Sequence, residues 1–164
     1  MTVKGMIFDL RSTLVPSEGP IFPDQAKFEL FLKLIACDMR LGAYDSVSSD
    51  QMGTMLIRSQ LRNFFHCTVS QDESAAKIGS DEMFSHLAGR LGVAPKDCVV
   101  CTTSASHKSC AELAGFPVFQ LNSKNDYTWD AFERFFEVEK RANGVISVLN
   151  DISNLRSLTA DNLN

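Results

Sequence analysis

Apolar residues along the chain fall into two kinds of pattern. A short run of apolar residues at 6–10 predicts a β-strand that is buried on both faces, and the mostly apolar stretch at 97–101 predicts another strand. In longer stretches, at 24–39, 81–91 and 129–140, apolar residues recur every three or four positions, which predicts amphipathic helices. Strand-like and helix-like patterns therefore alternate along the chain.

Weaker patterns predict the elements between these. Gly42 is expected to end the first helix, and Ser49 or Asp50 to cap a helix that extends to Leu61. Strands alternating with helices are typical of a parallel sheet covered on both faces. The sequence therefore predicts one α/β domain over 1–164, a three-layer, Rossmann-like sandwich with a central parallel sheet. The remaining predicted elements are strands at 43–49, 66–70 and 117–121, a helix at 106–114, and a last, partly helical apolar segment at 145–158.

Composition and charge exclude several classes of protein. The 164 residues carry a formal net charge of −4 and no basic run, so we expect no nucleic-acid partner and no anionic membrane surface. No stretch approaches the roughly 20 apolar residues of a membrane-spanning helix. We also expect no secretory signal, because the acidic Asp9 comes before any long apolar region.

The cysteines and histidines give no sign of a disulfide framework or a zinc site. The five cysteines are an odd number, and Cys98 and Cys101 lie along one predicted strand, so their side chains point to opposite faces. The three histidines lack the spacing of zinc ligands. We therefore expect reduced thiols, no metal centre and a cytoplasmic protein.

Asp9 is the first candidate for chemistry, because a carboxylate inside an apolar run is costly unless another group pairs with it. In open α/β sheets, ligands bind beyond the carboxyl ends of the strands. Arg11, two residues further along the same predicted strand, is expected to point the same way and to pair with Asp9. These two residues therefore mark the expected pocket.

Three segments resemble the haloacid dehalogenase-like (HAD-like) hydrolases. IFDLRSTLV resembles the first family motif, in which a hydrophobic residue is followed by Asp-x-Asp-Gly-Thr. FFHCTVSQDESAAKIGSDEMF resembles the segment around the third-motif lysine, with Lys77 at that position. LGVAPKDCVVCTTSASHKSCAELAG follows the family order of helix, strand, polar loop and helix. The resemblance implies a HAD-like fold with a minimal cap, a short helical insertion around 16–40.

The resemblance also implies which parts of the family machinery are missing. Family members use the first Asp as a nucleophile, a second Asp two residues later as general acid and base, and further acidic residues to bind Mg²⁺. Asp9 matches the nucleophile, but Arg11 stands at the position of the general acid. Thr103 and His107 stand at the expected metal-binding acidic positions. Because an arginine keeps its proton, we expect a pseudo-phosphatase without a metal cofactor.

A small anion is the ligand that these substitutions favour. Arg11 and Lys77 together outweigh the charge of Asp9, so they could replace the metal ion and hold an anion. Asp9 could equally be a buried relic, and Lys77 a surface lysine. Thr103 and His107 could be ordinary loop and helix-cap residues. The hydroxyl donors that could complete an anion site are Thr13, Ser48 or Ser49, and Thr103.

Two further functions stay open on the sequence. One is an active HAD-type phosphatase or related hydrolase that still uses Asp9 as nucleophile, with altered acid–base machinery and with Mg²⁺ as cofactor. The other is binding of a protein partner or of a second copy as a homodimer. Phe28, Phe31 and Leu32 lie on one predicted helix and would form such a surface if a reduced cap exposed them, although core packing is the usual role of such a face.

Overall fold

The first strand lies at the centre of a five-stranded parallel sheet in the computed structural model, which describes residues 2–142. The strand order is β3-β2-β1-β4-β5. The central position confirms the prediction made from the apolar run. The last apolar segment, predicted at 145–158, lies outside the described residues. The strands are β1 (Gly5–Asp9), β2 (Arg40–Tyr44), β3 (Cys67–Val69), β4 (Cys98–Thr102) and β5 (Val118–Gln120).

In the described residues, six helices connect and follow these strands. Short 3₁₀ turns at Arg62–Phe64, Pro95–Asp97 and Lys124–Asp126 complete the connections. No helix in the described part of the chain is both long and apolar enough to cross a membrane. The helices are α1 (Leu10–Thr13), α2 (Gln25–Ala36), α3 (Ser49–Arg58), α4 (Asp81–Leu91), α5 (Ala105–Leu113) and α6 (Trp129–Ala142).

The two faces of the sheet carry separate hydrophobic cores. Met6 and Phe8 of β1 pack on one face with residues of α2, α3 and α6. Ile7 points to the other face, where α4 and α5 pack. Cys98 and Cys101 are likewise on opposite faces, as the sequence predicts, and both are buried free thiols. The fold is thus the expected three-layer α/β/α sandwich.

α4 forms where the sequence predicts it, because its end signals are strong. The Ser80 hydroxyl accepts the Met83 N–H at the beginning of the helix. Gly92 ends it in the left-handed region, with φ at 67°, where a residue without Cβ is favoured.

Several predicted boundaries are wrong. Leu10 belongs to the helical turn α1, so the strand stops at Asp9. Gly42 does not end a helix: α2 ends at Ala36, and Gly42 lies inside β2, where an added Cβ would come within 3.2 Å of Leu91 Cδ1. The second strand therefore covers 40–44 rather than 43–49, and Ser48 caps α3.

The segment around 16–40, expected as a reduced cap, contains a loop followed by α2. Asp24 caps α2 by accepting the N–H groups of Ala26 and Lys27. Phe31 is fully buried and contacts Phe8 of the central strand with 5.1 Å between ring centroids, so this face of α2 covers the sheet. The other face leaves three apolar side chains partly exposed, namely Phe28, Leu32 and Ile35.

Candidate functional site

An open cavity of about 680 Å³ lies at the carboxyl ends of the central strands. β1, β2 and β4 are neighbours in the sheet, so the residues at or just after their ends converge on this point. The charged and titratable side chains that line the cavity are Asp9, Arg11, Tyr44, Asp45, His107 and Lys124.

Asp9 is the last residue of β1, and its carboxylate is held from two sides. Oδ2 accepts a hydrogen bond from Thr102 Oγ1 at 2.9 Å and lies 3.2 Å from His107 Nδ1. Thr102 ends the neighbouring strand β4, which explains how it reaches Asp9. Asp9 is only 9% exposed, so these contacts offset the cost of burying its charge.

His107 lies in the first turn of α5, and its ring is fixed by packing and by a second hydrogen bond. Nδ1 lies 2.9 Å from the Tyr44 hydroxyl as well as close to Asp9. Burial raises the pKa of Tyr44 well above its usual range, so this phenol stays protonated. The other edge of the ring lies against Gly79, where an added Cβ would be 2.3 Å from Nε2.

Arg11 pairs with Asp45 instead of the predicted Asp9. Nη2 lies 2.7 Å from Asp45 Oδ1, and Nε contacts both carboxylate oxygens at 2.9 and 3.0 Å. The backbone N–H of Arg11 donates to Oδ2 at 3.1 Å. Because β1 ends at Asp9, the helical turn α1 directs Arg11 towards the end of β2. Hydrogen bonding to Asp45 raises the pKa of Arg11 further, so the guanidinium stays charged.

Thr13 and Thr103 occupy different environments from those predicted for two anion-binding hydroxyls. Thr13 is fully buried, and its hydroxyl donates to the backbone carbonyl of Asp9 at 2.6 Å, so it does not face the cavity. Thr103 does line the cavity, and its backbone N–H donates to Ser12 Oγ at 3.3 Å. Of these two predicted donors, only Thr103 is placed to meet a ligand.

Ser48, Ser49 and Lys77 lie outside the cavity. Ser48 caps α3, with Oγ accepting the N–H of Gln51. Ser49 donates to the Asp72 carboxylate at 3.0 Å. Lys77 is exposed and does not line the cavity. The structure therefore brings Asp9, Arg11, Thr103 and His107 together, and leaves the other predicted groups apart from them.

Several residues of the site escaped the sequence analysis. Asp45 and Ser46 directly follow β2, and a correct boundary for that strand would have drawn attention to them. Thr102 had a signal in the sequence, since it is the last residue of a confident strand. Lys124 had none, because its place in the cavity depends on how the turn after β5 packs.

The charges around the cavity are balanced. Asp9 and Asp45 are opposed by Arg11 and Lys124, so the formal charges cancel when His107 is neutral. Protonation of His107 would leave one net positive charge. Arg11 and Asp45 also satisfy each other, which leaves Lys124 and His107 as the groups for an incoming anion.

The donor set does not fit Mg²⁺. This ion demands octahedral coordination by oxygen ligands, which usually include one or two carboxylates. Asp9 Oδ2 already contacts Thr102 and His107, and both oxygens of Asp45 are occupied by Arg11. Among the side chains that the structure describes, in residues 2–137, no three of His, Cys, Asp or Glu are grouped as a metal site would need. We therefore derive no step through a metal ion.

Comparison by sequence and comparison by structure give different results. No protein-family model and no curated protein sequence matches the chain. Solved structures do match it. The core domain of a Streptococcus pneumoniae protein assigned as a phosphoglycolate phosphatase superposes with a TM-score of 0.64 and 14% identity, covering 84% of this chain and 97% of that one.

Two β-phosphoglucomutase structures match a smaller share of the chain. The structure from Clostridium difficile has a TM-score of 0.56 and 14% identity, covering 70% of this chain and 55% of that one. The protein from Thermotoga maritima that is assigned this activity has a TM-score of 0.54 and 21% identity, covering 59% and 45%. The chain thus spans about half the length of these two structures.

A structure from Geobacter sulfurreducens described as a HAD-superfamily hydrolase also matches, with a TM-score of 0.54 and 16% identity, covering 63% of this chain and 53% of that one. The fold is therefore that of the HAD-superfamily hydrolases.

Proposed function

We propose that this protein is a catalytically degenerate HAD-fold protein, a pseudo-phosphatase that binds a small anion in the cavity at the ends of β1, β2 and β4. In this proposal it does not hydrolyse phosphate esters with Mg²⁺. The observation that carries the proposal is the ion pair between Arg11 and Asp45.

Arg11 and its contacts with Asp45 exclude two parts of the catalytic machinery, namely general acid–base catalysis and binding of a phosphoryl oxygen by the Arg11 N–H. A guanidinium cannot act as general acid and base near neutral pH, and it stands where the family resemblance requires a carboxylic acid. General acid–base catalysis typically contributes about 10²–10⁴-fold to a rate. The Asp45 carboxylate also accepts the backbone N–H of Arg11, so this N–H is not free to bind a phosphoryl oxygen.

The surroundings of Asp9 also argue against nucleophilic attack. Its Oδ2 accepts from Thr102 and contacts His107, and these interactions stabilise the carboxylate in the ground state. A stabilised carboxylate is a weaker nucleophile. Asp9 therefore acts in this proposal as the anchor that fixes Thr102 and His107 beside the cavity.

An incoming anion would be held by Lys124 and protonated His107. Lys124 lines the cavity and forms no ion pair with a described residue, and the His107 imidazole lines the same cavity. The Thr103 side chain adds a hydroxyl at the same cavity. Such a site favours a small anion.

The alternative is an active hydrolase that uses Asp9 as nucleophile and His107 as general acid and base. The contact of 3.2 Å between His107 Nδ1 and Asp9 Oδ2 is the specific observation in its favour. In this alternative, His107 would take over the proton transfer that Arg11 cannot perform.

A phosphomonoesterase assay separates the two functions. We expect no turnover above background for the wild-type protein, with or without Mg²⁺, and no difference from Asp9→Asn. The exposed Asp38→Asn variant is the matched control for loss of one carboxylate. Turnover that disappears in Asp9→Asn and persists in Asp38→Asn would establish the hydrolase and refute the degenerate protein.

Anion binding has its own test. Isothermal titration with inorganic phosphate near pH 6 should give binding that weakens in Lys124→Met and in His107→Gln. Equal affinity in the wild type and both variants would place the anion elsewhere and refute this part of the proposal.

Formation of a homodimer is supported by the three partly exposed apolar side chains on α2, namely Phe28, Leu32 and Ile35. Light scattering during size-exclusion chromatography measures the mass directly. A dimer that Leu32→Glu converts to a monomer would support this role, and a wild-type monomer at every concentration would exclude it.

A further inference from the structure

A second cavity, of about 520 Å³, lies between α2, the loop that precedes it and the turn after β5. Its volume is within the range of small-molecule sites, roughly 300–1,000 Å³. Apolar groups form much of its wall, including Leu14, Val15, Pro20 and Phe22. The ammonium-bearing side chain of Lys27 lines the same cavity, which makes the cavity amphipathic.

Lys27 is buried without an acidic partner. It is 6% exposed, and no Asp or Glu of the described residues forms an ion pair with it. Its Nζ donates to the backbone carbonyls of Lys124 at 2.5 Å and Tyr127 at 2.8 Å. An ammonium has three N–H donors, so one remains for a further acceptor. Burying a charge in this way is costly unless an opposite charge compensates it.

The neighbouring acid is already engaged. Asp24 lines the cavity, but its Oδ1 accepts the backbone N–H groups of Ala26 and Lys27 as the cap of α2. Lys124 lines the cavity too and adds a second positive charge. Asp24 and Asp126 balance the charges of Lys27 and Lys124, but neither carboxylate forms an ion pair with Lys27, so the third N–H of its ammonium has no acidic acceptor.

We propose that this cavity binds a small carboxylate with an apolar body, with its charged head on the Lys27 ammonium. The carboxylate would accept the third N–H of Lys27 in a charge-assisted hydrogen bond. Its hydrocarbon part would contact the proline side chains and Phe22 at the rim, where Phe22 is 72% exposed. This inference goes beyond the proposed function and does not depend on it, because the site around Asp9 is a different cavity.

Octanoate is a suitable probe, and octanol is the control for its apolar part. We expect isothermal titration to show octanoate binding to the wild type and binding of octanol that is weaker by about 10- to 100-fold, the range for losing a hydrogen bond to a charged group. Lys27→Met should lose affinity for octanoate by a similar factor. Lys33→Met removes an exposed lysine of the same helix and should bind octanoate as the wild type does.

Three results would overturn the inference. These are equal affinity for octanoate and octanol, full affinity in Lys27→Met, and the absence of octanoate binding to folded wild-type protein. The last result would leave Lys27 as a purely structural link between α2 and the turn at 124–126.

A measurement on the wild type keeps the test valid if Lys27→Met does not fold. Burial lowers the pKa of Lys27 to about 8, so the ammonium is lost within an accessible pH range. Octanoate affinity should fall about 30-fold from about pH 7 to about pH 9.5, in proportion to the protonated fraction, while octanol affinity stays constant. The other charged or titratable groups near Lys27 are Asp24, Lys124, Asp126 and Cys101. Octanoate affinity that does not change over this range would contradict a head group on Lys27.

Discussion

Arg11 Nη2 lies 2.7 Å from Asp45 Oδ1, and this ion pair joins the turn after β1 to the end of β2 beside the cavity. The two partners are unequally buried, because Asp45 is 3% exposed while a third of the Arg11 side chain reaches solvent. Loss of the arginine therefore leaves a buried charge, whereas loss of the carboxylate leaves a cation that water can partly solvate.

This asymmetry predicts the effects of two substitutions on stability. Arg11→Met should lower the free energy of unfolding by about 3 kcal/mol, near the lower end for breaking a buried pair. Asp45→Asn should lower it by about 1 kcal/mol, as for one ordinary hydrogen bond. Urea unfolding of the two variants measures both values.

The double variant supplies the control for this pair. If the two residues stabilise the fold through each other, Arg11→Met combined with Asp45→Asn should be less destabilising than the sum of the single changes. Two results would contradict this prediction. Strict additivity, or a larger loss for Asp45→Asn than for Arg11→Met, would show that the ion pair does not determine how these two residues contribute to the free energy of unfolding.

Restoring carboxylates should create Mg²⁺ affinity. Arg11→Asp combined with Thr103→Asp places two new acids beside Asp9, and it leaves Asp45 without its partner. The variant should be less stable than the wild type in EDTA because four acids then share one cavity. Mg²⁺ should raise its melting temperature, since binding at about 100 times Kd adds about 2.7 kcal/mol.

The wild type is the control for the Mg²⁺ effect. Its melting temperature should be the same in EDTA and in Mg²⁺. A wild-type protein that Mg²⁺ stabilises as strongly as the variant would contradict our conclusion that the donor set does not fit the ion.

The fold was more predictable than the site, for a physical reason. The apolar run before Asp9 and the 3.6-residue pattern of α4 reflect local burial, which composition and spacing reveal directly. The end of β1 was harder to predict because an apolar residue such as Leu10 fits a buried strand and the buried side of α1 equally well. That difference of one residue changed the direction of Arg11, and with it the partner of the guanidinium.

Long-range contacts account for the remaining errors at the site. Lys124 joins the cavity through a turn more than a hundred residues after Asp9 in the chain, and nothing in its local sequence indicates this. The sequence predicts a helix end at Gly42 because glycine is common there, whereas the role of Gly42 is to let Leu91 pack closely against β2. Signals of local structure cannot distinguish these two uses of glycine.

Gly79 should be essential for the position of His107. Its φ is 79°, and an added Cβ would lie 2.3 Å from His107 Nε2, so Gly79→Ala must displace the imidazole or the loop. We expect a loss of about 1–3 kcal/mol in the free energy of unfolding, together with a change in the NMR chemical shifts of the His107 ring. Urea unfolding and the NMR chemical shifts of the His107 ring measure the two effects.

Gly89→Ala is the matched control for this substitution. Gly89 lies inside α4, and an added Cβ there would meet no atom within 4 Å. Alanine should therefore stabilise the helix by about 0.5–1 kcal/mol and leave the His107 ring signals unchanged. An unchanged His107 signal in Gly79→Ala would show that the ring is positioned by its contacts with Asp9 and Tyr44 alone.

The lowered pKa of Lys27 predicts how the free energy of unfolding depends on pH. Burial lowers its pKa from 10.5 to about 8 in the folded protein. Between these two values the unfolded chain retains a proton that the folded protein has released, so the unfolded state binds more protons and the contribution of Lys27 to stability rises with pH. Lys27→Met has no such group, so the free energy of unfolding of the wild type minus that of the variant should rise by about 2 kcal/mol from about pH 7 to about pH 9.5.

Comparing the wild type with Lys27→Met at each pH removes the effect of other groups that titrate in the same range. Burial raises the pKa of Cys98 to about 12, so this thiol lowers stability as pH rises, but it does so in both proteins and cancels in the difference. Urea unfolding of the two proteins at a series of pH values therefore isolates Lys27. A difference that is constant with pH would mean that Lys27 titrates alike in the folded and unfolded states, and a difference that falls would mean that an unseen negative charge raises its pKa.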